Sequence, residues 1–116
     1  MQISIVTPSL NRAAFLDEAI ASVVNQRGDF EIDYVVQDGG SGPDVLAILE
    51  RWERYIHGGG FQPACRGVTF RFFIERDAGM YDALNKGFAR TRGEVMAWLN
   101  SDDWYQPAAF RTISEI

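Results

Sequence analysis

The stretch IDYVVQDGGSG, residues 32–42, decides the fold class of this chain. Its first five residues form a mostly apolar run that is typical of a buried strand, and Gln37 begins a polar, glycine-rich turn. A similar change from an apolar run to polar residues follows residues 3–6 and residues 95–99. We therefore predict a strand over residues 32–36 with a polar turn directly behind it.

Four runs of this kind are predicted to be strands. Each is rich in β-branched or aromatic residues and ends in turn-forming or polar residues. Three of the four are almost continuously apolar, which is typical of strands that are covered on both faces of a parallel sheet. The runs cover residues 3–6, 32–36, 68–74 and 95–99.

Amphipathic helical patterns alternate with these strands. We expect Gly28 to end the first helix and Pro43 to occupy the first helical position of the second. The order βαβαβαβα predicts an α/β, Rossmann-like fold with a mostly parallel sheet and helices on both faces. The helical patterns cover residues 16–24, 43–56, 80–88 and a stretch from Pro107 to the end of the chain.

Composition limits the classes of function. The chain has 116 residues, of which 47% are hydrophobic and 23% charged, as in one globular domain. The formal net charge is -5 and no stretch is rich in Lys and Arg, so nucleic acid is not an expected partner. A small phosphate-bearing ligand stays compatible, because helix N-termini and a divalent cation bind phosphates without net positive charge.

The sequence also bears on location. No apolar run reaches about 18 residues, so no transmembrane segment is expected. The first residues lack the basic leader of a signal peptide. Cys65 is the single cysteine, which excludes an internal disulfide and fits a reducing compartment. We expect a cytoplasmic protein, including one that works at the inner face of the membrane through peripheral contact.

Polar segments follow three of the strands and are predicted to meet, because ligands in open parallel sheets bind beyond the carboxyl ends of the strands. The segment after the first strand has no glycine, which argues against a dinucleotide-binding Rossmann enzyme. No GxxxxGK[ST] pattern occurs, which argues against a P-loop. The three segments are Thr7–Arg12, Gln37–Gly42 and Asn100–Asp103.

Two adjacent carboxylates, Asp102 and Asp103, suit a hard divalent cation such as Mg²⁺ or Mn²⁺. The cation would bridge a diphosphate and neutralise its charge as it leaves. A turn or helix cap before Pro107 is the other interpretation, since aspartate favours both positions. The spacing alone leaves the two interpretations open.

Two further aspartates have two interpretations each. Asp38 precedes two glycines, and it either closes an Asx turn or accepts a hydrogen bond from a nucleobase N–H. Asp77 precedes the third helix, and it either caps that helix or contacts a ligand. The residues themselves do not decide between these roles.

Aromatic residues are assigned mainly to the core. Trp52 and Trp98 lie at helix and strand spacing and are expected to be buried. Trp104 and Tyr105, directly after the paired acids, are the better candidates for contact with a sugar ring.

With these segments the chain resembles family 2 glycosyltransferases of the GT-A fold. Each motif alone is weak, but together they follow the order and spacing of the family over almost the whole chain. The motifs are ISIVTPSLN (3–11), FLDEAIASVVNQ (15–26), YVVQDGGS (34–41), DAGMYDALNKG (77–87) and GEVMAWLNSDD (93–103).

The resemblance implies a binding site for a nucleotide-diphospho-sugar donor. Asp38 matches the family aspartate that accepts from the uracil imide N–H, which favours a UDP- or dTDP-linked donor. Asp102 matches the last aspartate of the family's DxD motif, which binds Mn²⁺ or Mg²⁺. The implied donor-binding residues are Thr7, Pro8, Ser9, Asn11, Asp38, Asp77, Asn85, Ser101 and Asp102, with Asp102 as the metal ligand.

The chain departs from the family pattern in two respects. Asn100 replaces the first acid of the DxD motif, which removes one charge from the metal site. The resemblance also implies a carboxylate general base in the carboxyl-terminal half of the fold. The chain ends before that half, so we expect residues 1–116 to be the nucleotide-sugar-binding part of a longer domain. Asp103 is the catalytic candidate within this chain, whereas Asp82 and Glu94 are expected to be solvated.

The resemblance therefore implies an inverting glycosyltransferase that acts on a glycan or lipid-linked acceptor in surface polysaccharide or glycolipid synthesis. Two alternatives stay open: a nucleotide-binding fragment without turnover, and a structural or regulatory domain. A truncated sheet would expose apolar surface, which favours a homo-oligomer.

Overall fold

The computed structural model describes residues 1–11, 13–93, 95–99, 105 and 109–110. These residues form a four-stranded parallel sheet in the order β3-β2-β1-β4, with three helices. The predicted α/β class and parallel sheet are confirmed. The strands are β1 (Gln2–Ser9), β2 (Glu31–Asp38), β3 (Gly67–Ile74) and β4 (Val95–Trp98), and the helices are α1 (Ala13–Val24), α2 (Pro43–His57) and α3 (Met80–Phe88).

The strand register brings the carboxyl ends of the strands to the same side of the sheet. Ser9 at the end of β1 lies opposite Asp38, and Asp38 lies opposite Ile74 at the end of β3. β4 pairs with the first half of β1, and the Leu99 amide continues this ladder by donating to the Val6 carbonyl at 3.0 Å. The loops that follow the strands therefore start from a common side.

Helices α1 and α2 cover one face of the sheet and enclose the main core. Side chains alternate between the two faces of a strand, so every second residue points toward these helices. Ile5, Tyr34 and Phe70 occupy neighbouring strands on this face and are each at most 1% exposed. Leu16 of α1 and Leu49 of α2 pack against them and are completely buried.

Helix α3 covers β1 and β2 on the opposite face. Val6 and Val35 project to this side and pack against Leu84 of the helix. The helix comes closest to the sheet at Gly87, where a Cβ atom would overlap with the Val6 side chain. A glycine at this position therefore sets the distance between α3 and β1.

The described helices leave β4 uncovered on the α3 face. Met96 is 56% exposed and Trp98 is 45% exposed. Because Val6 pairs with Trp98, both side chains lie on the same face, yet α3 packs over β1 and β2 only. The prediction that Trp98 belongs to the core is wrong for this reason. Trp52 is partly buried and packs against the core as predicted.

The helix boundaries agree with the sequence patterns except at the end of α1. Pro43 lies in the first turn of α2, as predicted. Helix α1 ends at Val24, so the prediction that Gly28 ends it is wrong. Gly28 instead adopts a φ of 151° in the loop, against the Phe30 ring. Of the predicted fourth helix, residues 109–110 are described and helical, and the remainder lies outside the described residues.

No helix in the described ranges is long and apolar enough to cross a membrane. The 15-residue helix α2 is the longest of them. At the α-helical rise it spans about 22 Å, less than the ~30 Å of a bilayer core.

We expect Gly87→Ala to lower the free energy of unfolding by about 1–2 kcal/mol. The added methyl group overlaps Val6 in a packed contact, which costs more than the roughly 1 kcal/mol that alanine contributes over glycine in a helix. Urea unfolding measures the difference. Gly60→Ala is the matched control, because no atom lies within 4 Å of the new methyl group there. Equal stability of the wild-type chain and Gly87→Ala would contradict the close contact.

Candidate functional site

Hydrogen bonds join three loops at the end of the sheet where the strands terminate. The Gly39 amide donates to the Ser9 carbonyl at 2.8 Å, which links the ends of β1 and β2. The Glu75 amide donates to the Asp38 carbonyl at 2.8 Å, which links the ends of β2 and β3. We call this region the carboxyl edge, and it comprises residues 9–11, 38–41 and 75–79.

Ser41 connects the first two loops through its side chain. Its hydroxyl accepts from the Asn11 amide at 2.6 Å and donates to Asp38 Oδ1 at 2.7 Å. Asn11 has a φ of 54°, a left-handed conformation that asparagine tolerates better than most residues. The Ser41 hydroxyl therefore links the Asp38 carboxylate to the loop after β1 through two hydrogen bonds. The sequence contained a signal for the turn at Asp38, because aspartate favours Asx turns, but none for the contact between Ser41 and Asn11.

Asp38 is 0% exposed, and its own turn supplies hydrogen bonds to both of its oxygens. Oδ2 accepts from the Gly40 amide at 3.0 Å and from the Ser41 amide at 2.6 Å. Together with the Ser41 hydroxyl, three of the roughly four acceptor positions of a carboxylate are used. The Asx turn that the sequence allowed is therefore formed. A nucleobase contact would use the remaining acceptor position and stays a prediction.

Asp77 lies beside the Asp38 turn. Its Oδ1 accepts from the Gly79 amide at 2.9 Å, just ahead of α3. A Cβ atom at Gly39 would come within 2.7 Å of Asp77 Oδ2. The absence of a side chain at Gly39 thus leaves room for this carboxylate. The fold brings Asp38 and Asp77 to neighbouring loops, as the ligand-contact interpretation of Asp77 requires.

Asp82, like Asp77, accepts from a backbone amide just ahead of α3, although no side chain forms a cap hydrogen bond at the N-cap residue Gly79. Asp82 accepts from the Ala78 amide at 2.8 Å, and this hydrogen bond lowers the pKa of its carboxyl group. Lys86, one turn later, lies 3.3 Å from the same carboxylate. The Asp82 side chain is 37% exposed, so the expectation that it is solvated holds although it also accepts this hydrogen bond. Glu94 lies outside the described residues. Asn85 lies exposed on α3, and its role as a donor contact stays a prediction.

Three predicted donor-binding residues belong to strand β1 and not to the loop after it. Thr7, Pro8 and Ser9 are all buried. The Thr7 hydroxyl lies 2.7 Å from the Tyr34 hydroxyl, inside the core. Burial raises the pKa of Tyr34 well above its usual range, so this hydroxyl stays protonated. The prediction that residues 7–9 form a loop is wrong, because the pairing of β1 with β2 continues to Ser9.

Ser9 differs from its neighbours in lacking a side-chain partner. Its hydroxyl is buried, and no hydrogen-bond partner for it exists within the described part of the chain. Most buried polar atoms in proteins are hydrogen-bonded. Ser9 therefore stays a candidate donor contact, with an unused hydroxyl at the carboxyl edge.

The predicted metal-binding segment lies outside the described residues, which applies to Asn100, Ser101, Asp102 and Asp103. Leu99, the residue before this segment, is 5% exposed and bonded to Val6. Among the described residues, no group of three or more His, Cys, Asp or Glu side chains is placed to bind a metal ion. The metal site thus stays a prediction that rests on Asp102.

Tyr105 contacts the protein itself. Its amide donates to the Ser22 hydroxyl at 3.0 Å, and its own hydroxyl donates to the Trp98 carbonyl at 3.0 Å. Its ring packs edge-to-face on Phe110, with 4.9 Å between the centroids. These contacts attach the chain after β4 to α1. The prediction that Tyr105 faces a sugar ring therefore loses support, and Trp104 lies outside the described residues.

A charged network on the α3 face of the sheet contacts the third loop of the carboxyl edge, residues 75–79. Arg90 follows α3, and its Nη1 donates to Glu75 Oε1 at 2.5 Å and to Gln37 Oε1 at 2.7 Å. Gln37 also donates to Glu75 Oε1 at 2.9 Å, and it is completely buried. These hydrogen bonds, that from Arg90 first, lower the pKa of Glu75 from 4.5 to about 2. Sequence reasoning missed this network, because its members are far apart along the chain.

A groove of about 580 Å³ lies between α1 and α2, on the other side of the sheet. Asp17 accepts hydrogen bonds there from Arg51 and from the Trp52 indole. All the lining residues belong to the two helices, and none belongs to the carboxyl edge. The groove is therefore separate from the candidate site.

The family model for "Glycosyl transferase family 2" matches residues 4–115. This chain belongs to glycosyl transferase family 2. The family resemblance stated from the sequence motifs is confirmed.

Similar curated proteins are named as glycosyltransferases. An uncharacterised glycosyltransferase of Mycobacterium tuberculosis is 36% identical over 101 residues, which cover 87% of this chain and 34% of that protein. A PGL/p-HBAD biosynthesis glycosyltransferase of Mycobacterium bovis is 36% identical over 103 residues, covering 86% of this chain and 35% of the relative. The chain spans about a third of the length of these relatives.

Solved structures share the fold. Residues 1–349 of S. aureus TarS superpose with a TM-score of 0.73 and 19% identity, over 99% of this chain and 30% of that solved chain. The mannosyltransferase PcManGT of Pyrobaculum calidifontis superposes with a TM-score of 0.65 and 21% identity, over 89% of this chain and 28% of PcManGT. These neighbours are GT-A glycosyltransferases, so the predicted GT-A fold is confirmed.

We expect Ser41→Ala to lower the free energy of unfolding by about 1–3 kcal/mol, because the buried Asp38 carboxylate and the Asn11 amide each lose a hydrogen-bond partner. Chemical denaturation followed by circular dichroism measures the change. Ser41→Thr retains the hydroxyl and should recover most of the loss. If Ser41→Ala and the wild-type chain unfolded at the same denaturant concentration, the link between the loops would have no energetic role.

We expect the stability of the chain to fall between about pH 4.5 and pH 2 partly because Glu75 becomes protonated. Its folded pKa lies below the ordinary value, so its stabilising effect is present above pH 4.5 and is lost as the pH falls toward 2. Unfolding measured over this range should show a shallower pH dependence in Glu75→Gln. An NMR titration midpoint of the Glu75 carboxyl near 4.5 would contradict the assignment.

Proposed function

We propose that this chain is the nucleotide-sugar-binding part of an inverting glycosyltransferase. The observation that carries the proposal is the hydrogen-bonded carboxyl edge in a chain that belongs to glycosyl transferase family 2. TarS, which shares the fold, was solved in complexes with UDP-GlcNAc and with UDP. These complexes support a uridine diphosphate donor, with a dTDP-linked donor as the close variant.

The nucleoside is proposed to lie over the loops after β1 and β2. Asn11 and the unused Ser9 hydroxyl are candidates for contact with the base and ribose. Asp38 is assigned to the uracil N–H through its remaining acceptor position. Because Asp38 is 0% exposed, this contact requires the turn at residues 39–41 to move when the base binds. Asp77 completes the set from the third loop.

The diphosphate is proposed to bind through a divalent cation on Asp102, with Ser101 and Asn100 beside it. PcManGT, another fold neighbour, was solved with GDP-Man and Mn²⁺, which supports Mn²⁺ or Mg²⁺ here. Oxygen ligands suit both ions. When bound, such a cation stabilises the negative charge that develops on the departing diphosphate.

The acceptor is proposed to be a glycan or a lipid-linked molecule of surface polysaccharide or glycolipid synthesis. The M. bovis relative, named for PGL/p-HBAD biosynthesis, supports this class. A cytoplasmic protein with peripheral contact to the membrane fits such an acceptor. The general base is proposed to lie outside these 116 residues, and Asp103 is the candidate within them. Self-association through exposed apolar surface of the sheet stays a further prediction.

The proposal is tested by calorimetry of the chain with UDP, with and without Mn²⁺. We expect UDP to bind with Mn²⁺ present and more weakly without it. Asp102→Ala should lower the affinity in Mn²⁺ by about tenfold or more, which corresponds to roughly 1.4 kcal/mol. Competition with dTDP and GDP then identifies the preferred base, and we expect UDP or dTDP to bind best.

Asp29→Ala is the matched control, because Asp29 is an exposed aspartate that precedes β2, at the opposite end of that strand from the carboxyl edge. It should bind UDP like the wild-type chain. Unchanged binding by Asp102→Ala would refute the metal assignment. If none of the nucleotides bound with Mn²⁺ present, a structural or regulatory domain would be the better interpretation. Binding of UDP without hydrolysis of UDP-sugars would favour a nucleotide-binding part without turnover.

A further inference from the structure

Arg90, which follows α3, contacts the start of the loop after β3 (residues 75–79) from the α3 face of the sheet. Its guanidinium carbon lies 3.8 Å from the centroid of the Phe73 ring, in a cation–π contact. Its Nη1 reaches Glu75 at 2.5 Å and Gln37 at 2.7 Å. Its carbonyl accepts from Arg71 at 2.6 Å. Both the side chain and the backbone of Arg90 are therefore fixed against β2 and β3.

Glu75, which Arg90 contacts, lies two residues before Asp77 in the chain. The Glu75 carboxylate accepts a hydrogen bond from Arg90, and the Glu75 backbone amide donates one to the Asp38 carbonyl. The loop then continues to Asp77, whose Oδ2 lies close to Gly39. A displacement of Glu75 would thus move Asp77 relative to the Asp38 turn.

The network is partly shielded from solvent. The side chains of Arg90 and Glu75 are 29% and 42% exposed, while Gln37 between them is completely buried. An exposed ion pair alone stabilises little. Here, however, the buried Gln37 side-chain amide loses a hydrogen-bond partner if the charged group of Arg90 or of Glu75 is removed. Removal of the Arg90 guanidinium therefore affects Gln37 and Glu75 together.

We propose that Arg90 is a positioning residue for donor binding: through Glu75 and Gln37 it keeps residues 75–79 against β2, so that Asp77 stays beside the Asp38 turn. This inference rests on the proposed nucleotide-binding function. Among the described residues, no hydrogen bond or ion pair joins Arg90 to a residue assigned to the donor, and its effect on affinity passes through Asp77. Lys86 gives the same loop a second support, because its Nζ donates to the Arg76 carbonyl at 2.7 Å.

The test is a double-mutant cycle on UDP affinity in Mn²⁺, measured by calorimetry. We expect Arg90→Met to weaken UDP binding about 3- to 10-fold, the effect of one charged hydrogen bond lost indirectly. In the Asp77→Asn background the same substitution should change the affinity less than about twofold, because the group that Arg90 positions is already altered. Arg90→Lys retains the charge, so its affinity for UDP should lie between those of Arg90→Met and the wild-type chain.

Arg51→Met is the matched control, because it removes an ion pair to Asp17 between α1 and α2, away from this loop. It should leave UDP affinity unchanged. Equal affinity of Arg90→Met and the wild-type chain would overturn the inference. Independent, multiplying effects of Arg90→Met and Asp77→Asn would also overturn it, since they would indicate a general loss of structure.

Hydrogen exchange gives a readout that needs no nucleotide. We expect the Glu75 and Gly79 amides, which bond to Asp38 and Asp77, to exchange faster in Arg90→Met than in Arg51→Met. If wild-type chain failed to bind UDP, the proposed function would fail while the exchange result still decided whether Arg90 anchors the loop. Unchanged exchange at both amides would refute the anchoring.

Discussion

The buried carboxylate of Asp38 is the constraint on which the carboxyl edge depends. A charged group without exposed surface is costly unless hydrogen bonds replace its water. Here the donors are the Gly40 and Ser41 amides and the Ser41 hydroxyl, and these hydrogen bonds hold the turn after β2 in the conformation described above. Because the Ser41 hydroxyl also accepts from Asn11, the same requirement determines where the β1 loop lies.

The two faces of the sheet contribute differently to this edge. The α1–α2 face is an apolar core that fixes the strands, and the buried Thr7–Tyr34 hydrogen bond lies within it. The α3 face combines a small apolar cluster with a polar network around Gln37. A polar network of this kind specifies positions more narrowly than apolar packing does, because each donor needs its acceptor at a defined distance and angle. The third loop is consequently positioned by charge and hydrogen bonding.

The position of the Asp38 turn at the carboxyl edge could be predicted from the sequence. The placement of Asp38 and Asp77 on neighbouring loops follows from the parallel alternation of strands and helices, since ligand loops in such sheets share one end. The Asx turn at Asp38 was among the interpretations, because aspartate before glycines favours it. The extent of β1 was not predictable, since Thr7-Pro8-Ser9 reads as a turn and only pairing with β2 makes it a strand.

Sequence alone determined the fold class, the order of strands and helices along the chain, and the family. Periodicity and local motifs are properties of neighbouring residues, so the sequence contains them directly. The exposure of Trp98, the pairing of Tyr105 with Ser22 and the attachment of Arg90 to Glu75 were decided only by the tertiary structure. Each of these depends on which helix covers which strand, or on a contact between residues far apart in the chain. Local patterns contain no information on such distances, and the physical reason is that packing and hydrogen-bond geometry arise only when the chain is folded.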